Sequence, residues 1–321
     1  MRGWFILSIF IRNPYSREEY SIKSEKRCRA TLPDYRFIVM ADSRGTDGGI
    51  NEKTLRSILG KIKDLYPQPD YIIFPGDLVS GSSTPENLRA QLQKFKDVFM
   101  EYFPIKILLP TVGNHEVSND PKDYSSEKVF AEIFSEFKTD EFLGGYNRTV
   151  FYVDIGNVRH IVLNSYHTGE INEITGQQFE WFKKVSEGTQ KRKLVFVHSP
   201  AYPTGHHIDS SLSLFPEQRD KFWNVVDMNT VDLLFAGHEH NYSRRLIDSS
   251  FSTKDYKFTR KVNQVVTGGA GAPLNDAYKD DRGIVVPPTP VYHYVIVDVY
   301  GNELKITAVA LDSGKIDEFI I

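Results

Sequence analysis

The sequence predicts an α/β protein whose buried strands carry polar, ligand-type residues at their C-terminal ends. Three features predict it: apolar runs that each stop within a residue or two of an Asp, Asn or His; amphipathic helical stretches between the first three runs; and, from about residue 150, a shift towards hairpin-forming strands. Parallel strands joined by right-handed crossovers place their C-terminal ends on one sheet edge, where α/β proteins bind ligands. The runs should therefore converge.

The run Val231 to Asn241 anchors the pattern, because Leu233, Leu234, Phe235 and Ala236 leave no polar face and the strand must stop at Gly237. His238 and His240 follow, one residue apart. An extended backbone sends both imidazoles to the same side, close enough to ligate one metal or two adjacent ones. The same grammar recurs where Arg36 to Ala41 ends in Asp42, Tyr71 to Pro75 in Gly76-Asp77, Ile105 to Val112 in Gly113-Asn114-His115-Glu116, and Lys193 to Val197 in His198.

Taken in order, residues 1–30 are expected to form a strand extension packed on a single domain over 31–321. Trp4 to Ile11 is apolar but only eight residues long, with no small-x-small cleavage site after it, so an edge strand is favoured over a targeting segment. Residues 14 to 30 carry mixed charge and read as a solvated face. Ser43 to Gly49 reads as a glycine-rich loop. Asn51 then caps a helix with Leu55, Ile58, Leu59, Ile62 and Leu65 on one face. Pro85 opens a second helix through Leu88, Leu92, Phe95, Phe99 and Tyr102, and residues 125 to 137 predict a third. Val150 to Ile155 and Val158 to Asn164 flank Gly156-Asn157 as a hairpin. A helix from Gly176 leads past the basic run Lys191-Arg192-Lys193, read as a solvated strand start, into the His198 strand. The polar loop from Ser199 to Ser211 is too long for a connector and should border the site. After His240 the chain predicts strands over Gln264 to Thr267, Tyr292 to Val299 and Leu304 to Leu311.

With 321 residues, 40% apolar and 25% charged composition, the chain can bury one large core. A formal net charge of −3 argues against a general polyanion-binding surface, so no extended nucleic acid is expected as partner. No membrane span is expected either. The single cysteine, Cys28, fits a reducing compartment and points to a cytoplasmic location, with the short apolar N-terminus leaving export open.

The candidate ligands are carboxylates, one amide and several imidazoles, a mixed N/O set that suits Mn, Fe or Zn better than a structural zinc cage. In these motifs and their order the sequence resembles the calcineurin-like metallophosphoesterases, most of all the purple acid phosphatase branch, over about residues 34 to 312. The resemblance implies a four-layer α-β-β-α sandwich with two mixed β-sheets around a two-metal site. It implies that Asp42, Asp77 and His240 bind the first metal, and that Asp77, Asn114, His198 and His238 bind the second. It further implies hydrolysis of a phosphomonoester or phosphodiester by a metal-activated hydroxide, with His115 stabilising the transition state or protonating the leaving oxygen.

Three departures from the family pattern stand out. Many members have Asp-x-His where this chain has Asp42-Ser43-Arg44; a guanidinium cannot ligate a metal, so Arg44 either clamps substrate phosphate or stands in for a weakened first metal. Ser80 replaces the tyrosine that colours purple acid phosphatases. Ser80-Gly81 also lacks the Asp-Arg pair of the protein serine/threonine phosphatases, which leaves the group orienting His115 unidentified. The rival to a two-metal hydrolase is a one-metal phosphate-binding or regulatory module. Tyr202, His206 and His207 are substrate-pocket candidates with Arg44, Asn114 and His115; Tyr166, His167 and Tyr242 are further candidates, though exposed loop polarity would explain them equally. Arg244 and Arg245 are expected to pair with surface carboxylates, and Trp181 and Trp223 to lie in the core.

Overall fold

The computed structural model describes residues 32–118, 120, 122–188 and 192–321, so the expected strand over 1–30 and Cys28 lie outside the described residues. The first half alternates as predicted. Strand β1 (Tyr35–Val39) leads to Asp42, then β2 (Arg44–Asp47) bridges back to Ile50, making the expected loop a small hairpin. Helix α1 (Glu52–Lys63), β3 (Tyr71–Pro75), α2 (Pro85–Met100) and β4 (Leu108–Thr111) follow. Asn51 caps α1 by accepting the Thr54 N–H at 3.2 Å, and Pro85 begins α2 where a missing N–H costs nothing. Helix α3 (Ser125–Ile133) ends short of the predicted 137, because Phe134 leaves the helical region while Phe137 still packs in the core.

The second half adds β5 (Glu141–Phe142), β6 (Phe151–Ile155), β7 (Val158–Val162), β8 (Tyr166–His167), β9 (Glu170–Ile171), α4 (Gly176–Val185), β10 (Arg192–Val197) and α5 (Pro216–Met228). Then come β11 (Leu233–Ala236), β12 (Tyr242–Ile247), β13 (Val262–Thr267), β14 (Ile284–Thr289), β15 (His293–Tyr300), β16 (Glu303–Ala310) and β17 (Gly314–Ile320). Sequence patterning missed the two-residue strands β5, β8 and β9 and the longer β12, β14 and β17. In β12 the arginines hide the pattern: Arg244 pairs with Asp317 at 2.7 Å, and Arg245, almost wholly buried, pairs with Asp280 at 3.1 Å.

Two mixed sheets result, a six-stranded one in the order β17-β16-β15-β1-β3-β4 and an eight-stranded one in the order β14-β12-β13-β11-β10-β7-β6-β5. Strands β1, β3 and β4 run parallel in the first, and β7, β10, β11 and β13 in the second. Side chains alternate across the second sheet. Leu194, Phe196, Leu233 and Phe235 face the first sheet, where Phe37 meets Phe196 at 6.3 Å between ring centres. Val195, Val197, Leu234 and Ala236 instead join Phe182 and Trp223 of α4 and α5. On the far side of the first sheet Phe74 packs on Phe95 of α2 at 5.3 Å. The layers therefore run helix, sheet, sheet, helix, within one unit over Pro33–Ile321. Among the described residues no helix is long and apolar enough to cross a membrane.

Lys193 corrects the expectation of a solvated strand start. It is buried, and its ammonium donates to the carbonyls of Ser186 at 3.0 Å, Gly188 and Asn229 and to the Thr230 hydroxyl at 3.1 Å. One cation thereby satisfies carbonyls just past the C-terminal ends of α4 and α5, where a positive charge also complements the helix dipoles.

His160 sits between the sheets, fully buried, 4.9 Å from Phe37, with neither ring nitrogen hydrogen-bonded. Burial pushes its pKa down from 6.5 to about 4. In that interval the unfolded chain binds a proton that the folded chain refuses, so this contribution to stability is complete above pH 6.5 and is lost as pH falls towards 4. We predict that His160→Leu flattens the decline in unfolding free energy between pH 7 and 5, measured by denaturant titration. An undiminished decline in the variant would show that His160 does not cause it.

Candidate metal centre

The strand ends converge, but across two sheets rather than on one edge: β1, β3 and β4 bring Asp42, Asp77 and Asn114, while β10 and β11 bring His198, His238 and His240. Turning the chain sharply at these ends puts Asp42 (φ 65°), Asp77 (φ 53°) and His238 (φ 71°) in the left-handed region that side chains other than glycine rarely adopt. Backbone hydrogen bonds hold these turns, from Asp42 N–H to Gly76 at 3.2 Å, from Ser43 N–H to Asp77 at 2.9 Å and from Gly237 N–H to His198 at 3.0 Å. Such local cost persists only where surrounding contacts over-determine the backbone.

Two triads result, Asp42–Asp77–His240 and Asp77–His198–His238, each with ligand atoms within 4.8 Å of one another. Asp77 belongs to both. His198 Nε2 lies 3.3 Å from Asp77 Oδ1, and His240 Nε2 lies 3.6 Å from Asp42 Oδ1. The other ring nitrogens are committed to carbonyls: His198 Nδ1 donates to Pro75 and His240 Nδ1 to Pro273, both at 2.8 Å, and His238 Nε2 donates to Ser210 at 2.9 Å. This leaves the inward nitrogen of each ring as the one free to ligate a metal. Asp42 Oδ1, His198 Nε2 and Asn114 Oδ1 are buried without hydrogen-bond partners. Buried polar atoms left without partners are what a bound cation satisfies, and the N/O donor set fits Mn, Fe or Zn.

The electrostatics agree. Burial raises the Asp42 pKa to about 7, opposed by His198 and reinforced by Asp77. Burial also acts to raise Asp77, but His198, with His115 and His238, holds that carboxyl well below its usual range. His198 is lowered by burial yet raised further by Asp77 and Asp42, to about 9. Burial, and then the neighbouring His198, keep His238 well below its ordinary value. Groups pulled this far in opposite directions mark a tightly coupled ionisable cluster of the kind functional sites contain.

Small residues leave the room. A Cβ at Gly113 would lie 2.2 Å from Asp77 Oδ1, and one at Gly237 would lie 2.5 Å from Asp42 Oδ2. Two buried carboxylates outside the candidate ligand set organise the loops. Glu116 accepts the N–H groups of Asp77 at 2.9 Å, Val79 at 2.9 Å and Gly113 at 2.8 Å, fastening the β3 turn to the β4 turn. Burial, with Asp77 nearby, pushes Glu116 up to about 8. Glu239, between the two histidines, accepts the N–H groups of Thr204 at 2.7 Å, Gly205 at 2.7 Å and His206 at 3.1 Å, and so fixes the loop after β10. Sequence reasoning gave neither residue a role; their places within Gly113-Asn114-His115-Glu116 and Gly237-His238-Glu239-His240 were the only signal.

His115 is partly exposed at the edge, with Nε2 3.7 Å from Asp77 Oδ2 and Nδ1 donating to the Ser80 carbonyl at 2.8 Å. The orienting group left open by the sequence is thus a backbone oxygen. Ser80 also holds the β2 hairpin, through its hydroxyl to Gly45 at 2.7 Å and its N–H to Gly49 at 2.7 Å. That hairpin presents Arg44, whose Nε lies 3.9 Å from Asp77 Oδ2 with no hydrogen bond.

His207 stacks on His238 at 3.8 Å and lies 6.2 Å from His240, its pKa lowered to about 3 by burial, then by His206 and His240. His206 lies further out, against Asn275 at 3.0 Å and 4.3 Å from His207. Tyr202 is not brought to the site: it packs in the core edge-on to Trp223 at 5.3 Å, with its hydroxyl on Asp220 at 3.0 Å. Hydrogen bonds in both directions between its backbone and Gln264 fix that inward turn. Tyr166 lies beneath His198 and His238, His167 pairs with buried Glu127 at 3.0 Å, and Tyr242 donates to Asp317 at 2.7 Å, away from the ligands.

Residues 35–242 match the family model described as calcineurin-like phosphoesterase. Over 182 residues the chain is 24% identical to purple acid phosphatase 1 of Ipomoea batatas, covering 54% of this chain and 36% of that protein. Over 265 residues it is 23% identical to acid sphingomyelinase-like phosphodiesterase 3b of Homo sapiens, covering 71% of this chain and 57% of that one. It therefore spans only part of these relatives' length. A purple acid phosphatase from yellow lupin (Lupinus luteus) seeds shares the fold with a TM-score of 0.68 at 15% identity, over 89% of this chain and 53% of that one.

Gly113→Ala should abolish high-affinity Mn or Zn binding in equilibrium dialysis, because its Cβ would occupy space held by Asp77, whereas Gly144→Ala, with nothing within 4 Å, should bind as the parent does. Equal binding by both variants would show that the crowding at Gly113 is harmless. Glu116→Ala should lower stability by roughly 1–3 kcal/mol for each buried N–H left without an acceptor, read from denaturant unfolding. An unchanged unfolding midpoint would remove Glu116 from the organising role.

Proposed function

The chain belongs to the calcineurin-like phosphoesterase family, and on that premise we propose that it is a metal-dependent phosphoric ester hydrolase acting on a phosphomonoester or phosphodiester. The observation that carries this reading is Asp77, one carboxylate shared by two ligand triads whose inward acceptor atoms include buried ones without partners. Asp42, Asp77 and His240 would hold one metal ion; Asp77, Asn114, His198 and His238 would hold the other. Bound there, two cations such as Mn, Fe or Zn neutralise phosphoryl oxygens and lower the pKa of water.

The chain's own residues do the rest. With Nδ1 committed to Ser80, the Nε2 atom of His115 is the one that can exchange a proton, and it is placed to give that proton to the leaving oxygen as the phosphorus–oxygen bond breaks. Arg44 contributes a fixed cation beside Asp77, suited to a phosphoryl oxygen. His207, stacked on His238 and 6.2 Å from His240, would hold a non-reacting oxygen of the ester, with His206 beside it.

Arg44 also supports the second reading, a one-metal phosphate-binding module, since its charge stands 3.9 Å from the shared carboxylate where a family histidine is missing. The two separate by experiment. After reconstitution with Mn, Fe or Zn, elemental analysis should give about two equivalents per chain. His115→Ala should keep the metal but lose about 10²- to 10⁴-fold in turnover of an aryl phosphate. Asp77→Asn should lose metal as well. One equivalent, with phosphate bound but not turned over, would favour the module; full activity without His115 would remove it from the chemistry.

A further inference from the structure

Resting on the hydrolase reading, we propose that the cavity beside His115 receives the leaving alcohol and selects neutral hydroxylated or cationic alcohols over anionic ones. The cavity measures about 540 Å³ and opens between the turns after β3 and β4 and the start of α3. Its lining includes His115 and Asn114. Because Nδ1 of His115 is taken by Ser80 and Asp77 lies on the metal side of Nε2, the reacting oxygen must sit at Nε2. The carbon skeleton attached to that oxygen then extends into this cavity.

The rest of the lining decides what that skeleton can be. Ser82, Ser83, Ser118 and Ser126 supply hydroxyls, Asp120 and Asp123 supply carboxylates, and Val117 supplies the one apolar side chain among the described lining residues. Lysine and arginine are absent from that described lining. Serine hydroxyls both donate and accept, which suits a polyol or amino alcohol. Asp123 accepts the Ser125 N–H at 2.9 Å, and its pKa is lowered by its bonds to Ser125, with Ser118 adding to the effect, so it stays charged at neutral pH. Lys128 acts on Asp123 from outside that lining, so a leaving alcohol bearing its own carboxylate or second phosphate would meet two like charges and no cation among the described lining residues.

Three alkyl monoesters with matched chemistry test this on the metal-loaded protein: O-phosphoethanolamine, glycerol 3-phosphate and 3-phosphoglycerate, whose leaving alcohols are cationic, neutral and anionic. The first two should exceed the third in kcat/KM by about tenfold, the effect of one partly solvated charge pair. Asp120→Asn should narrow the ratio of phosphoethanolamine to 3-phosphoglycerate, as should added salt; Asp123→Asn, whose carboxylate also caps the start of α3, serves as second variant with its melting temperature measured alongside. Equal kcat/KM for all three esters, or a ratio unmoved in both folded variants, would overturn the proposal. Failure to turn over p-nitrophenyl phosphate with Mn, Fe or Zn would instead overturn the hydrolase reading. In that case calorimetric titration of the three esters decides the pocket: tighter binding of the cationic and neutral esters supports it, and equal or reversed order overturns it.

Discussion

Everything at the metal centre depends on keeping the Asp77 carboxylate ionised in a place that water does not reach. Burial works against its charge, and three imidazoles and the Arg44 guanidinium lie close enough to favour it. Neither sheet could supply this environment alone. The first brings the carboxylates and the amide, the second brings the imidazoles, and the two sets become one site only because the sheets pack face to face with the C-terminal ends of their parallel strands side by side. The apolar contacts between the sheets, such as Phe37 on Phe196, thus position the ligands as surely as the turns that carry them.

Buried ionisable side chains of a second kind hold the loops. Glu116, Glu239 and Lys193 are each satisfied largely by backbone groups, and each joins segments distant in sequence. A buried carboxyl or ammonium group is costly unless hydrogen bonds surround it, and main-chain donors and acceptors at strand turns and helix ends are otherwise left unmet. Pairing the two problems solves both. It also explains how the turn after β3 holds Asp77 at positive φ: Glu116 accepts the N–H groups of Asp77 and Val79 and fixes the backbone there.

The site is asymmetric. The second triad has His198 and His238 with Asn114 beside it, whereas the first has His240 alone among imidazoles and meets Arg44 at its open side. Arg44 stands on a hairpin latched by Ser80, the residue that also orients His115. One serine therefore couples the placement of the Arg44 hairpin to that of the His115 imidazole, and its loop forms a wall of the cavity beside His115.

The sequence by itself determined the alternation of strands and helices, the positions where each strand ends, and the residue types placed there, because buried strands impose apolar runs and metal ligation restricts the donors. Asp42, Asp77, His198, His238 and His240 were legible for that reason, and the structure brings them together. Tertiary structure alone decided that two sheets share the site, since strand patterns do not say which strands pair. It also decided that Tyr202 faces the core, that Lys193 is buried, and that Glu116 and Glu239 organise the loops. Those four act through partners far away in the chain, and side-chain direction in a loop is set by such contacts rather than by local periodicity.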